Sequence, residues 1–353
     1  MKQSSILFLE DNNYLEKLGI FKSIKKFNGI NNYKLSKKSI KDYSLIVSML
    51  YNSPVSNFMI LKAKINKIPT LLISDGILEW ENMFSNPLIT VHNLALFHPV
   101  LHDMFLCVGQ DETQYFNFLG YKSMQYLPDR MAPTIPRIGK VGTNLFLITT
   151  ANTAYYDTIE KENLVQLLKD IILTLDSLSF KYIYRIFDDS LVKLLDIQKE
   201  QNIKDRSYEE CLKLVDYVIT TPSSISFTTM YHGKPLAHLI YRDSPMFIQG
   251  GWNISGSINI ESTLKDMTTY NQYRMNFQEF QVAKYLVDNE TVEKEVIEKL
   301  EEQKTENIEK FINQNLYNML NSSFNFNIEY FVRKVYLRFK SFKIMQILKG
   351  KVK

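Results

Sequence analysis

A cluster of hydroxyls around a proline, Thr220-Thr221-Pro222-Ser223-Ser224, follows a short β-branched run that begins at Tyr217. An apolar-periodic segment comes next and stops at Gly233, followed by Lys234-Pro235 and a second strand-like run from Leu236 to Tyr241. The order strand, turn, helix, glycine, strand is one βαβ unit, with its loop at the carboxyl end of a strand. Open α/β sheets bind ligands at that edge. The free N–H groups and positive dipole end of a following helix suit an anion such as a phosphate. Ser223 or Ser224 can cap that helix and donate to the same anion. An ordinary N-cap in an ordinary βαβ unit has the same pattern.

A second focus is Ser74-Asp75-Gly76-Ile77-Leu78-Glu79-Trp80, directly after an apolar run. A carboxylate at a strand's carboxyl end points toward a cleft, and Gly76 lets the backbone turn or approach closely. A plain Asp-Gly turn is the other reading, although Leu78, Trp80, Met83 and Phe84 are apolar for an exposed hairpin tip. Asp75 can act as a base or a nucleophile, with Glu79 as the second candidate. His92, His98 and His102-Asp103 form a third focus. Pro99 disfavours a helical His98, so the four-residue spacing to His102 need not make a metal pair. The expectation is no metal and no cofactor, with His98 either a substrate contact or a structural histidine. Gln249-Gly250-Gly251-Trp252-Asn253 fits a sugar or base platform or, equally, a tight turn beside a core tryptophan.

The elements that must position these residues alternate. Residues 5–10, 44–50 and 69–74 read as buried strands, and Cys107 opens a strand-helix unit that ends at Gly120. Residues 128–142 concentrate proline and glycine and are the natural linker. Beyond them the alternation restarts with a strand over Leu145 to Thr149, a helix from about Glu160 to Leu178 and a strand over Tyr182 to Ile186. Glu and Lys at helical spacing between Glu290 and Lys310 predict a solvated helix.

The chain has 353 residues, 45% hydrophobic and 23% charged, which is enough for two globular domains. Two cysteines in apolar runs, Cys107 and Cys211, do not make a disulfide framework and fit a reducing compartment. No apolar run has the length of a secretory signal or a membrane span, so a cytoplasmic location is expected. The last stretch, from Phe331, interleaves aromatic and aliphatic residues with Arg333, Lys334, Arg338, Lys340, Lys343, Lys349, Lys351 and Lys353, and carries no acid. That pattern is a basic amphipathic helix suited to the anionic inner face of a membrane, or one packed on its own protein. No nucleic-acid motif accompanies it, and no nucleic-acid partner is expected.

The run Asp216 to Ser224, an apolar helix and then Gly233-Lys234-Pro235 resembles the donor-phosphate loop of GT-B glycosyltransferases of bacterial capsule and lipopolysaccharide synthesis. The Asp75-Gly76 segment resembles the aspartate-glycine motif of the CMP-Kdo-dependent β-Kdo transferases, glycosyltransferase families 99 and 107. It is also similar, with Ser74 in place of the first acid, to the acidic motif of bacterial sialyl- and polysialyltransferases. These resemblances imply an α/β GT-B fold: two Rossmann-like domains facing a cleft, 1–135 for acceptor and catalysis and 143–290 for the nucleotide donor. A helical extension, 291–353, would carry the basic tail. They imply metal-independent transfer of an acidic sugar, Kdo ahead of sialic acid, from a CMP donor to a glycan or lipid-linked acceptor. Asp75 would serve as base in an inverting enzyme or as nucleophile in a retaining one. Thr220, Thr221, Ser223 and Ser224 would hold the donor. The His-Pro pair of sialyltransferases belongs to the second domain, where this chain has Arg185, whose guanidinium matches a carboxylate or phosphate. A CDP-polyol-dependent polyol-phosphate transferase and a non-catalytic glycan-binding scaffold are the alternatives.

Overall fold

A computed structural model of the chain describes residues 5–10, 18–21, 27–29, 39–49, 54–91, 95–242 and 247–302. His92 and the basic tail from Phe331 lie outside the described residues, as does the end of the Glu/Lys-rich segment. The first sheet contains β1 (Ile6–Phe8), β2 (Phe27–Gly29), β3 (Leu45–Ser48), β4 (Thr70–Ile73), β5 (Met104–Val108) and β6 (Ser123–Tyr126) in the order β2-β1-β3-β4-β5-β6. The second contains β7 (Leu145–Thr149), β8 (Lys181–Arg185), β9 (Tyr217–Thr220), β10 (Leu236–Leu239) and β11 (Trp252–Ile254) in the order β11-β10-β9-β7-β8. Every pairing in both sheets is parallel. Parallel strands need crossover connections, and here these are largely helical, so both faces are covered and the central strands read as apolar runs. In β4 and β9 every residue is buried.

The helices are α1 (Pro54–Ile65), α2 (Trp80–Phe84), α3 (Pro87–Thr90) and α4 (Gln110–Phe118) in the first lobe. The second lobe holds α5 (Thr158–Ser177), α6 (Asp189–Leu194), α7 (Tyr208–Leu212), α8 (Ile225–Tyr231), α9 (Ile260–Thr268) and α10 (Gln272–Ala283). In α5 the Asp157 side chain accepts from the Glu160 N–H and caps the start, and Leu164, Leu168, Ile171 and Leu175 form the stripe buried on the second sheet. Among the described residues no helix is long and apolar enough to cross a membrane.

The segment between the sheets is pinned. Asp216, before β9, accepts backbone N–H groups from Val141 (2.6 Å), Gly142 (3.0 Å) and Asn144 (2.7 Å). Glu209 accepts from the Thr134 N–H at 2.9 Å. The last described helix, α11 (Asn289–Glu302), returns to the first lobe and packs on β6. There the Asn289 amide makes paired bonds with Leu127, accepting from its N–H at 3.0 Å and donating to its carbonyl at 2.6 Å. Val292, Val296 and Leu300 join a core cluster that also contains β1, β3, β4 and β5 residues. The two lobes are thus tied by a linker on one side and a returning helix on the other.

Candidate functional site

The buried run of β4 breaks at Ser74, whose hydroxyl donates to the Gly76 carbonyl at 2.8 Å. The Tyr126 hydroxyl donates to the Ser74 carbonyl from β6. Below the turn, the buried carboxyl of Glu112 on α4 accepts from the Leu78 N–H at 2.6 Å and the Val108 N–H at 3.1 Å. Burial pushes that carboxyl well above the usual range, against the pull of its two N–H donors. These bonds hold the loop rigidly while Asp75 itself points out, its side chain 61% exposed.

In the second lobe the hydroxyl-rich turn divides into two parts. Thr220 and Thr221 are buried and turned inward: Thr220 donates to the Thr221 carbonyl at 2.9 Å, and Thr221 accepts from the Ala151 N–H at 2.7 Å. They shape the turn. Ser224 meets the first lobe. The Ser223 hydroxyl is buried without a hydrogen-bond partner among the described residues. Ser224 occupies the N-cap position of α8, yet its side chain makes no capping bond. The expected cap is corrected here: the Ser224 hydroxyl instead accepts the Ile77 N–H of the first lobe at 3.2 Å. Helix α8 spans only seven residues, so the dipole expected to attract an anion is small. The charged residues flanking the turn are structural as well. Asp216 binds the linker amides, and the buried Lys234 ammonium donates to the Val215 carbonyl at 2.7 Å. Burial pushes Lys234 down to about 8, partly opposed by Asp216.

The two strand ends therefore meet. Gly76 lies at the contact, and its backbone does not take the left-handed conformation. A Cβ there would run into Arg130 Nη2 and lie 2.8 Å from Ser224 Oγ, so a side chain at this position would require both of those side-chain ends to shift. Arg130, from the linker, reaches to 3.7 Å of the Asp75 carboxylate. Asp75, Gly76, Ile77, Arg130 and Ser224 form one polar junction between the lobes, with Ser223 beside it.

Glu79 sits elsewhere. Its carboxylate faces Arg242, which follows β10, at 3.3 Å, and the same guanidinium reaches Glu160 of α5 at 3.4 Å and the Thr153 carbonyl at 3.1 Å. The Tyr156 hydroxyl adds a 2.9 Å bond to Asn82 of α2. Burial pushes Glu79 up to about 7, with Arg242 pulling down and Glu81 and Glu160 pushing further up. Trp80 stacks on Phe84 (5.2 Å) and meets Tyr115 (5.0 Å) and, across the lobes, Phe247 (5.7 Å). His98, preceding a cis-proline, belongs to that aromatic group, with its ring 5.3 Å from Phe84 and 5.7 Å from Phe116. Burial lowers its pKa, which favours the neutral imidazole.

Arg185, at the end of β8, lies over the rings of Phe187 (4.7 Å) and Tyr208 (5.4 Å), and its Nε has no hydrogen-bond partner among the described residues. His102 bonds Ser48 at 2.7 Å, and Asp103 accepts from the Thr70 N–H at 2.9 Å and from Lys64 at 3.0 Å, so both brace the first sheet. Among the described residues no three His, Cys, Asp or Glu side chains gather as metal ligands. Trp252 is a buried β11 residue donating to Asp266 at 2.8 Å, and the Gly250 and Gly251 amides bond His238 and Gln278. The tight-turn reading of that segment replaces the platform. Sequence reasoning passed over Arg130, Glu112 and Arg242. Only Glu112 carried a local signal, an acid in the first turn of a helix.

No protein-family model and no curated protein matches the chain. Solved structures do match in fold. A putative UDP-N-acetylglucosamine 2-epimerase from Listeria monocytogenes superposes with a TM-score of 0.54 at 9% identity, over 85% of this chain and 96% of that one. S. aureus MnaA, in a co-structure with UDP, gives 0.52 at 9% identity over 85% and 97%. The UDP-N-acetylglucosamine 2-epimerase from Rickettsia bellii gives 0.51 at 12% over 84% and 97%. The likeness is one of fold. With two parallel α/β sheets meeting at their strand ends, the chain has the two-lobed, Rossmann-like GT-B architecture that its motifs imply.

Proposed function

We propose that this chain is a glycosyltransferase of bacterial surface-polysaccharide synthesis that uses a nucleotide-activated donor, with a CMP-linked acidic sugar, Kdo ahead of sialic acid, as the favoured one. The observation that carries the reading is the junction itself. An exposed carboxylate at the end of β4 stands against a serine turn at the end of β9, joined by the 3.2 Å bond from the Ile77 N–H to Ser224. A donor phosphate on Ser223 and Ser224 places the anomeric carbon toward Asp75. In an inverting reaction Asp75 takes the acceptor hydroxyl proton as that oxygen attacks and the nucleotide leaves. In a retaining reaction the Asp75 carboxylate displaces the nucleotide, and the acceptor oxygen then displaces Asp75. Glu79 is committed to Arg242 and His98 to an aromatic stack, which favours Asp75 over both. The fold neighbours described with UDP or named for UDP-sugar chemistry support a nucleotide in the cleft. The basic tail from Phe331 would bring the enzyme to a lipid-linked acceptor at the inner face of the membrane.

Calorimetric titration with CMP, CDP and UDP tests the donor, and release of CMP from CMP-Kdo tests the chemistry. Tightest binding of CMP is expected. A CDP preference moves the reading to polyol-phosphate transfer, a UDP preference moves it to UDP-sugar chemistry, and no binding leaves a glycan-binding scaffold. Asp75→Asn keeps size and should leave CMP binding intact while cutting turnover by at least about 10²-fold, the low end for a lost general base. Near-normal turnover would remove Asp75 from the mechanism.

A further inference from the structure

The polar junction contains a cation that neither the hydroxyl-rich turn nor the aspartate-glycine motif announces. Arg130 lies in the Pro- and Gly-rich segment between β6 and β7, and its side chain is 43% exposed. Its pairing with Asp75 is long, at 3.7 Å, and both partners are open to water. Such a pair adds little to stability. The guanidinium is nevertheless placed closely. The space that a Gly76 side chain would fill is bounded on one side by Arg130 Nη2 and on the other by Ser224 Oγ. Cation and hydroxyl thus flank one point at the mouth of the turn.

Ser224 accepts the Ile77 N–H, which leaves its own proton free to donate. Ser223 next to it has a buried hydroxyl with no partner among the described residues. Two hydroxyl donors without an acceptor there, beside a guanidinium in loose contact with Asp75, are a donor set for an anion. Lys234 donates to the Val215 carbonyl, and Arg185 lies over the rings of Phe187 and Tyr208 with its buried Nε unpartnered among the described residues, while Arg130 is the cation that lies against Asp75. With α8 too short to supply a strong dipole, the positive charge at this junction comes from Arg130.

We infer that Arg130 binds the phosphate of the nucleotide donor together with Ser223 and Ser224, moving off Asp75 as the phosphate arrives. This rests on the proposed nucleotide-dependent function and names a residue for it. Before donor binding the guanidinium rests loosely against the Asp75 carboxylate, at 3.7 Å, and afterwards it stabilises the phosphate charge that grows as the nucleotide leaves.

The test compares each nucleotide with its own nucleoside, since only the phosphate differs. CMP and cytidine, and UDP and uridine, are titrated calorimetrically into the wild-type chain, Arg130→Gln and Arg130→Lys. The wild type should prefer nucleotide over nucleoside. Arg130→Gln should cut that preference by about tenfold or more, as expected for a lost hydrogen bond to a charged group. Arg130→Lys should restore part of it, with nucleoside affinity and melting temperature unchanged. An undiminished preference in Arg130→Gln overturns the role of Arg130 and leaves the proposed function standing. Equal losses of nucleotide and nucleoside affinity also overturn it, because they mark a purely structural residue. A wild-type chain that does not distinguish nucleotide from nucleoside overturns the proposed function, and this inference with it.

Discussion

Two of the polar contacts between the lobes have opposite character. Around Glu79, Arg242 and Glu160 the charges are buried, with side chains 14%, 7% and 16% exposed, and flanked by the Trp80–Phe247 contact. Around Asp75, Arg130 and Ser224 the groups are half open, the ion pair is long, and the neighbouring Ser223 lacks a partner among the described residues. The first contact is closely paired and largely shut off from solvent. The second is open to solvent and has hydroxyl donors to spare. The difference separates a buried clamp from an open junction, although both carry a carboxylate facing an arginine. Acid-arginine pairing alone therefore does not mark a site. Exposure and unsatisfied donors do.

The sharpest way to break the comparison is to remove the clamp's cation. Arg242→Ala leaves Glu79 and Glu160 buried beside each other without a counter-charge, and breaking a buried pair on one side costs about 3–5 kcal/mol. Urea denaturation should show that loss, and the double variant Glu79→Gln/Arg242→Met should recover much of it. If Arg242→Ala denatures like the wild type, the clamp is no clamp. A smaller effect comes from its titration. Burial raises Glu79 to about 7 in the folded chain, above the ordinary carboxyl value of 4.5. A raised folded pKa means that the folded state holds the proton more tightly. This contribution is fully present below about 4.5 and is lost as the pH rises through 7. Glu79→Gln abolishes the titration. Between pH 4.5 and 7 the wild type should therefore lose up to about 3 kcal/mol relative to Glu79→Gln, at about 1.4 kcal/mol per pKa unit. Parallel stability profiles for the two proteins would sink the assignment.

The two contacts were unequally legible in the sequence. Strand runs such as Leu145 to Thr149 and Tyr217 to Thr220 were readable, because parallel strands covered on both faces must be apolar along their length. Asp75 and Ser223–Ser224 were visible as strand-end residues beside a turn. What the sequence hid is the partnership between them. Arg130 stands 55 residues from Asp75 in a segment whose composition reads only as linker, and Arg242 stands 163 residues from Glu79. Contacts between lobes leave no periodicity to read, so cations supplied across a cleft are invisible until the fold is closed. The same limit misplaced the serine cap: local rules assign Ser224 to its own helix, and tertiary geometry gives it to Ile77.

The smallest effect sharpens the comparison most, because it separates the two serines. Thr220 and Thr221 are inward and satisfied, so their hydroxyls hold the turn, whereas Ser223 and Ser224 border the mouth. Ser223→Ala removes a hydroxyl with no partner among the described residues, and a buried unsatisfied group is itself a penalty of about 1–3 kcal/mol. The unliganded variant should therefore be as stable as the wild type or more so, while its CMP affinity falls. Ser224→Ala takes the acceptor from the Ile77 N–H and should lose both some stability and some affinity. Together the changes should weaken CMP binding by about 1–3 kcal/mol, the range for hydrogen bonds to a charged group. Thermal melting with and without CMP reads both quantities on one sample. Stabilisation of Ser223→Ala with undiminished CMP affinity would make its orphan hydroxyl a packing defect and move the phosphate away from this turn. A gain in stability paired with a loss of affinity is the signature of a group kept unsatisfied for a ligand.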